Sequence, residues 1–210
     1  SCKYAKAVVK ECCLAKDMVY LFKTPYVFDV SVQDVFTAFA AGGTLAIAEP
    51  GAHKDAGAIC ETITGQGVNV ACFVPTLLVE FANFLLQNPD EAAAVRGSIK
   101  KVLTIGEALM TATCKQLFQL LPGLEIHNLY GPTEASVGVS HQPVTAETLG
   151  AGTVVPIGIP FGYVDFRVFD PARYEEKEIT AGLLVEVPEG EVGELFIGGD
   201  CLAQGYVRNP

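Results

Sequence analysis

Short apolar runs alternate, over the first two thirds of the chain, with longer stretches in which apolar residues recur every three or four positions. Uniformly apolar runs predict buried strands, and the longer periodic stretches predict helices. The predicted strands are residues 18–22, 44–48, 68–74, 100–106 and 124–131. The predicted helices are residues 32–41, 55–67, 75–86 and 111–121, with a further helix of uncertain role over 1–15. This alternation predicts an α/β fold with a parallel sheet flanked by helices.

The pattern changes near residue 150, where glycine and proline become frequent, and three strand-like segments follow without a clear helix between them. They are YVDFRVFD at 163–170, GLLVEV at 182–187 and GELFIGG at 193–199. Consecutive strands without crossover helices are typical of antiparallel sheets. The sequence therefore predicts an α/β unit over 1–150 and a small antiparallel β subdomain, part of a barrel, over 151–210.

Composition and charge narrow the class of protein. Half of the 210 residues are hydrophobic and 18% are charged, so the chain is not intrinsically disordered. The 24 acidic and 14 basic residues give a net charge of −10, and an acidic surface repels the phosphate backbone of nucleic acid. No segment resembles a membrane span or a signal peptide. We therefore expect a cytoplasmic protein with neither nucleic-acid nor membrane partners.

The seven cysteines and three histidines carry no metal-binding signature in the sequence. No CxxC pair occurs, and His53, His127 and His141 show none of the spacings typical of zinc ligands. We therefore expect reduced, mostly buried thiols and no structural zinc site.

Candidate chemistry begins in FDVSVQDVF, residues 28–36, where Asp29 follows a strand and precedes a helix. The common motifs GxxxxGK(S/T), GxGxxG and GxSxG do not occur. Aspartate in this position caps the helix, or it offers a negative charge at the carboxyl edge of a parallel sheet, where such folds bind ligands. In the second case Asp29 would pair with a substrate ammonium.

A second segment, NLYGPTEAS at 128–136, combines several chemical features on one turn. A Gly-Pro pair bends the chain, Tyr130 offers a flat face for stacking, and Thr133 offers a hydroxyl. Glu134 supplies a carboxylate, the kind of ligand that a hard cation such as Mg²⁺ prefers. A solvated loop with a surface glutamate is the simpler interpretation, but so many features in nine residues favour a binding site.

Together with a third segment, GELFIGGDCLAQGYVRNP at 193–210, these motifs resemble the amino-acid-activating adenylation domains of nonribosomal peptide synthetases, within the acyl-adenylate-forming, AMP-binding superfamily. The family motif FDxS appears as FDVS, NxYGPTE as NLYGPTE, and PIGxP as PIGIP at 156–160. GELxIGGxxLARGYxxxP appears with Gln204 in place of its arginine. The resemblance covers nearly the whole chain, as an internal fragment of such a domain.

The resemblance implies that the enzyme condenses an amino acid with ATP, releases pyrophosphate, and loads the aminoacyl group onto the phosphopantetheine thiol of a carrier domain. Condensation domains are the further partners it implies. By motif position, Thr133 and Glu134 are the catalytic residues, Glu134 binds Mg²⁺, and Tyr130 stacks on adenine. The implied nucleotide-binding residues are Gly106, Glu107, Ala108, Asn128, Tyr130, Gly131 and Thr133.

The resemblance assigns Asp29 to the α-ammonium of the amino acid, as a buried carboxylate close to the 130–134 turn. The implied lining of the side-chain pocket is mostly apolar and uncharged. Its residues are Val30, Gln33, Cys72, Leu103, Ile105, Leu129, Val137 and Gly138. A charged substrate side chain would lack a partner there. We therefore expect a neutral amino acid of small or medium size, either aliphatic or proline-like.

Several parts of the family's machinery do not occur in the 210 residues: the phosphate loop, the ribose-binding acidic residue, and the C-terminal lid domain with its catalytic lysine. We therefore expect the fragment alone to be inactive. Two alternatives stay open. One is another adenylate-forming ligase, acting on aryl or fatty acids and using coenzyme A or an acyl carrier, which would have no use for Asp29. The other is a catalytically degenerate binding module that keeps the fold without turnover.

Overall fold

The computed structural model describes residues 2–171 and 185–207. Its strands are β1 Val19–Phe22, β2 Thr44–Ile47, β3 Val70–Phe73, β4 Lys101–Thr104, β5 Glu125–Tyr130, β6 Ser140–Val144, β7 Ile159–Pro160, β8 Val164–Phe169 and β9 Glu194–Gly199. Its helices are α1 Cys2–Glu11, α2 Val30–Ala41, α3 Ala56–Gly65, α4 Pro75–Gln87, α5 Pro89–Ser98 and α6 Thr111–Leu120, with short 3₁₀ turns at Ala52–Lys54 and Thr133–Ala135. Among the described residues, no helix combines the length and the apolarity needed to cross a membrane.

The first seven strands form one sheet in the order β2-β1-β3-β4-β5-β6-β7. Strands β1 to β5 pair in parallel, and β6 and β7 join the far edge in antiparallel orientation. Strands β8 and β9 form a separate two-stranded antiparallel sheet. The predicted fold class is therefore confirmed. The strand predicted over 182–187 lies largely outside the described residues.

Helix α5 and strand β6 are the two sizeable elements that the sequence pattern did not predict. Helix α5, PDEAAAVRGS, buries only Ala92 and Val95, so it lacks the apolar stripe on which the prediction depends. Strand β6, SHQPV, contains mostly polar residues and Pro143, which weaken any strand prediction. The predicted division near residue 150 stays a prediction, and β7 beyond it still pairs with the large sheet.

Each face of the large sheet packs against its own set of helices, because successive side chains of a strand point to opposite faces. On β3, Ala71 and Phe73 pack into a core covered by α3 to α6. Val70 and Cys72 point the other way, into a core covered by α1 and α2. The uniformly apolar strands predicted from the sequence are therefore buried on both sides.

The helix ends follow signals in the sequence. Gly42 ends α2 in the left-handed conformation, with φ of 73°, which glycine adopts without steric cost. Asp55 begins α3, and its carboxylate accepts hydrogen bonds from the backbone N–H groups of Gly57 at 2.8 Å and Ala58 at 3.2 Å. These caps set where the connections between strands and helices begin.

A pair of opposite charges lies beneath the loop that leads into α2. Asp34, on α2, is buried, and burial raises the pKa of its carboxyl to about 6, although hydrogen bonds from Thr24 and the charge of Lys23 oppose the rise. Burial also lowers the pKa of Lys23, whose ammonium lies 4.6 Å from the centroid of the Phe73 ring. Water exclusion thus destabilises the charged form of both groups.

The raised pKa of Asp34 predicts a pH-dependent effect of Asp34→Asn on stability. The folded state holds a proton on Asp34 up to about pH 6, whereas the unfolded chain releases it near pH 4. The wild-type protein therefore loses stability as pH rises through this window. We expect the stability of the variant relative to wild type to rise by about 1–2 kcal/mol from pH 5 to pH 8, measured by urea unfolding.

The matched control is Asp90→Asn, at an exposed position in the first turn of α5. It should show no such change between the two pH values. A relative stability of Asp34→Asn that is constant with pH would contradict the burial of an ionisable carboxyl at this position.

Candidate active site

Two adjoining cavities lie at the carboxyl edge of the parallel strands. The β4–β5 cavity, of about 340 Å³, follows those two strands. Its walls include all but one of the predicted nucleotide-binding residues, namely Gly106, Glu107, Ala108, Asn128, Tyr130 and Gly131. The β1–β3 cavity, of about 410 Å³, has walls that include Lys23, Asp29, Val30, Cys72, Phe73 and Leu77. Gly106 and Glu107 line both cavities, so the two are neighbours.

The turn shared by the two cavities, at Gly106 and Glu107, is hydrogen-bonded to the first turn of α4. Gly106 has a φ of 102°, which a residue with a side chain rarely adopts. The carboxylate of Glu107 accepts a hydrogen bond from the backbone N–H of Thr76 at 2.8 Å, and another from the Thr76 hydroxyl. Thr76 is the second residue of α4, where exposed N–H groups and the helix dipole favour a negative partner.

The β5 end of the β4–β5 cavity is equally constrained. Asn128 is buried, with its amide donating to the Pro156 carbonyl at 2.9 Å and its side-chain oxygen accepting from Thr104 at 3.1 Å. A Cβ on Gly131 would lie 2.5 Å from the Cα of Gly138, so only glycine fits there. The half-buried Tyr130 thus lies between Asn128, whose side-chain amide is held by hydrogen bonds, and the tight turn at Gly131.

Glu134 lies beyond this turn, exposed on the 3₁₀ turn that also contains Thr133. Its carboxylate accepts a hydrogen bond from the Tyr206 hydroxyl at 2.8 Å, and its backbone carbonyl accepts one from Ala203 N at 2.7 Å. A backbone hydrogen bond, followed by the bond from Tyr206, lowers the pKa of Glu134. The carboxylate is therefore ionised at neutral pH and can supply the oxygen ligands that Mg²⁺ requires.

Tyr206 was not singled out as a site residue from the sequence, although the signal was present in the motif LAQGY. Its pKa is raised first by Glu134 and also by the charge of Asp29. The segment before Tyr206 is tied down as well, since Ser136 donates to the Cys201 carbonyl at 2.7 Å. The carboxylates of Glu134 and Asp29 therefore both lie close enough to the Tyr206 hydroxyl to affect its pKa.

Asp29 lies immediately before α2 and lines the β1–β3 cavity. Its backbone is already helical, with φ of −62° and ψ of −25°, and its side chain makes no cap hydrogen bond, so the helix-cap interpretation is wrong. The expected burial of this carboxylate is also wrong, because Asp29 is half-buried and follows the exposed residues Tyr26, Val27 and Phe28. Its carboxylate therefore faces a cavity that solvent reaches.

The nine predicted substrate-binding residues separate into three groups. Asp29, Val30 and Cys72 line the β1–β3 cavity. Gln33 and Leu103 lie beneath it, around a void of about 10 Å³ that Cys72 also borders. The remaining four do not reach this cavity: Leu129 borders the β4–β5 cavity, while Ile105, Val137 and Gly138 lie in the core beneath α1 and α2.

Tyr4, on α1, explains why those residues lie in the core. Its ring packs against Gly138, where an added Cβ would lie 2.6 Å from a ring carbon. Its hydroxyl donates to the side-chain oxygen of Gln33, whose amide in turn donates to the Cys72 sulfur at 3.0 Å. No motif in the sequence indicated Tyr4. Lys23 was also missed, although, like Asp29, it follows β1 at the carboxyl edge.

Comparison with known proteins agrees with this geometry. A family model described as "AMP-binding enzyme" matches residues 2–207. Enterobactin synthase component F of Escherichia coli (strain K12) is 40% identical over 190 residues, which are 90% of this chain and 14% of that protein. Vanchrobactin synthetase VabF of Vibrio anguillarum is 36% identical over 195 residues, which are 92% of this chain and 6% of that protein. The chain thus spans a small part of these relatives.

Solved structures of adenylation domains also match this chain. A structure of holo-PA1221, an NRPS protein containing adenylation and PCP domains, matches 94% of this chain and 31% of its own, with a TM-score of 0.77 and 25% identity. The Vibrio cholerae adenylation domain AlmE, in complex with glycyl-adenosine-5′-phosphate, matches 99% of this chain and 36% of its own, with a TM-score of 0.78 and 24% identity, and supports the fold alone. The chain belongs to the AMP-binding enzyme family, and its resemblance to the adenylation domains of nonribosomal peptide synthetases is confirmed.

Proposed function

We propose that this chain forms the substrate- and nucleotide-binding part of an adenylation domain that activates an amino acid. In the reaction, a carboxylate oxygen of the amino acid attacks the α-phosphorus of ATP, the bond to the β-phosphate oxygen breaks, and pyrophosphate leaves. The observation that carries the proposal is the pair of cavities that share Gly106 and Glu107. One cavity is lined by Asp29, whose carboxylate makes no helix-cap hydrogen bond, and the other is lined by Tyr130.

On the nucleotide side, Tyr130 would stack on adenine, while the Gly106–Ala108 turn approaches the ring from the opposite side. The hydrogen bonds of Asn128 and Glu107 hold both walls in place before any ligand binds. Such preorganisation favours the reaction because little ordering is left to be done when ATP arrives. Gly131 lets the backbone turn closely past the bound nucleotide.

Thr133 and Glu134 would act at the reacting phosphate. The Thr133 hydroxyl would donate a hydrogen bond to an α-phosphate oxygen, where negative charge gathers in the transition state. Glu134 fits a magnesium ligand because its carboxylate is exposed, ionised and oriented by Tyr206. A bound Mg²⁺ would supply charge neutralisation on the phosphates.

On the substrate side, Asp29 would bind the α-ammonium, and the walls around Val30, Phe73 and Leu77 would contact the side chain. Lys23 also lines this cavity, but the Asp34 carboxylate behind it opposes its charge. Glu107 also lines this cavity, but hydrogen bonds from Thr76 already hold its carboxylate. Asp29 is therefore the charged group left to face the substrate. This supports a neutral amino acid of small or medium size, aliphatic or proline-like.

The aminoacyl group would then pass to the phosphopantetheine thiol of a carrier domain, with a condensation domain as the next partner. We further propose that the protein acts in the cytoplasm, where ATP is available and where its seven free cysteines stay reduced. Residues 1–210 alone should not form an adenylate.

A panel of amino acids tests the substrate class. In amino-acid-dependent pyrophosphate exchange with the full-length protein, we expect a neutral aliphatic amino acid or proline to exceed Lys, Arg, Asp and Glu by at least about 100-fold. The reason is that a charged side chain would be buried without a partner. A preference for any of the four charged amino acids would contradict the proposed selectivity while leaving the adenylation chemistry intact.

Asp29→Asn in the full-length protein tests the role of the carboxylate. The change keeps the shape and removes the charge, so kcat/KM for the amino acid should fall about 30- to 1000-fold, mainly through KM. Asp17→Asn, at an exposed turn, is the control and should leave kcat/KM unchanged. If exchange instead proceeds with an acid that has no amino group, and Asp29→Asn does not affect it, the protein is another adenylate-forming ligase.

Tyr206→Phe tests whether Tyr206 is a positioning residue for Glu134. Loss of the 2.8 Å hydrogen bond leaves the carboxylate free to rotate. We expect the Mg²⁺ concentration for half-maximal exchange to rise about 3- to 10-fold, with little change in the rate at saturating Mg²⁺. This is the size of one ordinary hydrogen bond, because both partners are exposed to solvent. The control Tyr26→Phe, at an 86% exposed position, should not alter Mg²⁺ dependence. An unchanged Mg²⁺ requirement in Tyr206→Phe would rule out this role.

A further inference from the structure

Away from the two cavities, three side chains capable of binding a metal meet in the protein core. One ligand atom each from Cys12, His127 and His141 lies within 4.8 Å of the other two. All three residues are buried, with 0%, 5% and 5% of their surface exposed. They come from three separate segments of the chain, and neither cavity of the candidate active site includes them.

Backbone geometry brings the three together. His127 on β5 and His141 on β6 are diagonal neighbours on one face of the sheet, since His141 pairs with Leu129, two residues after His127. Their rings stack with centroids 5.1 Å apart. Cys12 comes from above this face, directly after α1, where Cys13 adopts a left-handed conformation with φ of 48°. The residue that follows α1 thus places its thiol, that of Cys12, beside the two histidine rings.

The surroundings of His127 resemble the outer shell of a metal site. Its Nδ1 lies 2.9 Å from Nε2 of His141, whereas its own Nε2 has no hydrogen-bond partner and lies 3.7 Å from a carboxylate oxygen of Glu125. Glu125 is held in turn by the ammonium of Lys101. A carboxylate behind a histidine commonly fixes the ring so that its other nitrogen faces a metal.

The chemistry of the donors selects the class of ion. A thiolate and two imidazole nitrogens suit Zn²⁺, whereas Mg²⁺ and Ca²⁺ prefer oxygen. Tetrahedral Zn²⁺ holds two nitrogens about 3.3 Å apart. The histidine nitrogens are already 2.9 Å apart, and the three ligand atoms lie within 4.8 Å of one another. For all three to bind one ion, the nitrogens must separate slightly and the sulfur must approach by up to about 1 Å.

Although the spacing of these residues in the sequence predicted no zinc site, we propose that Cys12, His127 and His141 bind one Zn²⁺ ion, at a site independent of the adenylation chemistry. The ion replaces the hydrogen bond between the two histidines, and the proton of that bond moves to the other nitrogen of its own ring. The proton of the Cys12 thiol leaves to solvent. Three protein ligands leave the fourth tetrahedral position to a water molecule. The site ties the end of α1 to β5 and β6, and β5 carries Asn128 and Tyr130 toward the β4–β5 cavity.

Cobalt substitution tests the proposal in the full-length protein after removal of metals with a chelator. Co²⁺ bound by one thiolate and two imidazoles should produce a thiolate charge-transfer band in the near ultraviolet and tetrahedral bands in the visible, saturating at one equivalent and lost when Zn²⁺ is added. Cys12→Ser should abolish the charge-transfer band and weaken Zn²⁺ binding at least about 100-fold. The control Cys60→Ser removes a thiol that is equally buried, in the opposite core, and should change neither.

Absence of the band from the wild-type protein, or its persistence in Cys12→Ser, would overturn the proposal. If Cys12→Ser does not fold, X-ray absorption of the zinc-loaded wild-type protein decides instead. One sulfur and two imidazoles around zinc would support the site, and any other number of sulfur ligands would refute it. Pyrophosphate exchange measured on the same samples reports separately on the proposed function.

Discussion

Parallel pairing of strands β1, β3, β4 and β5 is the constraint on which the rest of the structure depends. Parallel strands end at the same edge of a sheet, so the residues that follow them meet there, however far apart they lie in the sequence. Asp29 after β1, Gly106 after β4 and Tyr130 at the end of β5 are neighbours for this reason. The antiparallel return of β6 then keeps the turn that contains Glu134 at this edge.

The acidic residues around the site occupy different environments, and the difference matches their proposed uses. Asp29 is half-buried and Glu134 is exposed, so neither bears the full cost of losing water before a ligand arrives. Asp34 is buried, and its pKa is raised to about 6 because Lys23 and Thr24 compensate only part of that cost. The two carboxylates proposed to bind ligands therefore stay accessible, while the buried carboxylate of Asp34 opposes the charge of Lys23.

Helix α1 makes tertiary contacts that its sequence does not predict. The hydroxyl of Tyr4 donates a hydrogen bond to Gln33, and the ring of Tyr4 packs against Gly138 in the core beneath the β1–β3 cavity. At its other end the helix brings Cys12 onto the histidine pair of β5 and β6. The contacts with Gly138 and with the histidines join segments separated by more than a hundred residues, so no local sequence pattern predicts them.

The sequence by itself determined the features that depend on neighbouring residues. Apolar runs predicted the parallel strands, periodic stretches predicted most helices, and the motifs identified the family. The roles of Asp29, Tyr130 and Glu134 that the motifs imply stay predictions. Helix α5 and strand β6 escaped prediction because an alanine-rich helix and a polar strand have weak patterns. Only the tertiary structure decided that Asp29 is half-buried, that Tyr206 bonds Glu134, and that Cys12 meets two histidines. Burial and through-space contacts depend on how distant segments pack, and packing is a property of the whole fold rather than of any one stretch of chain.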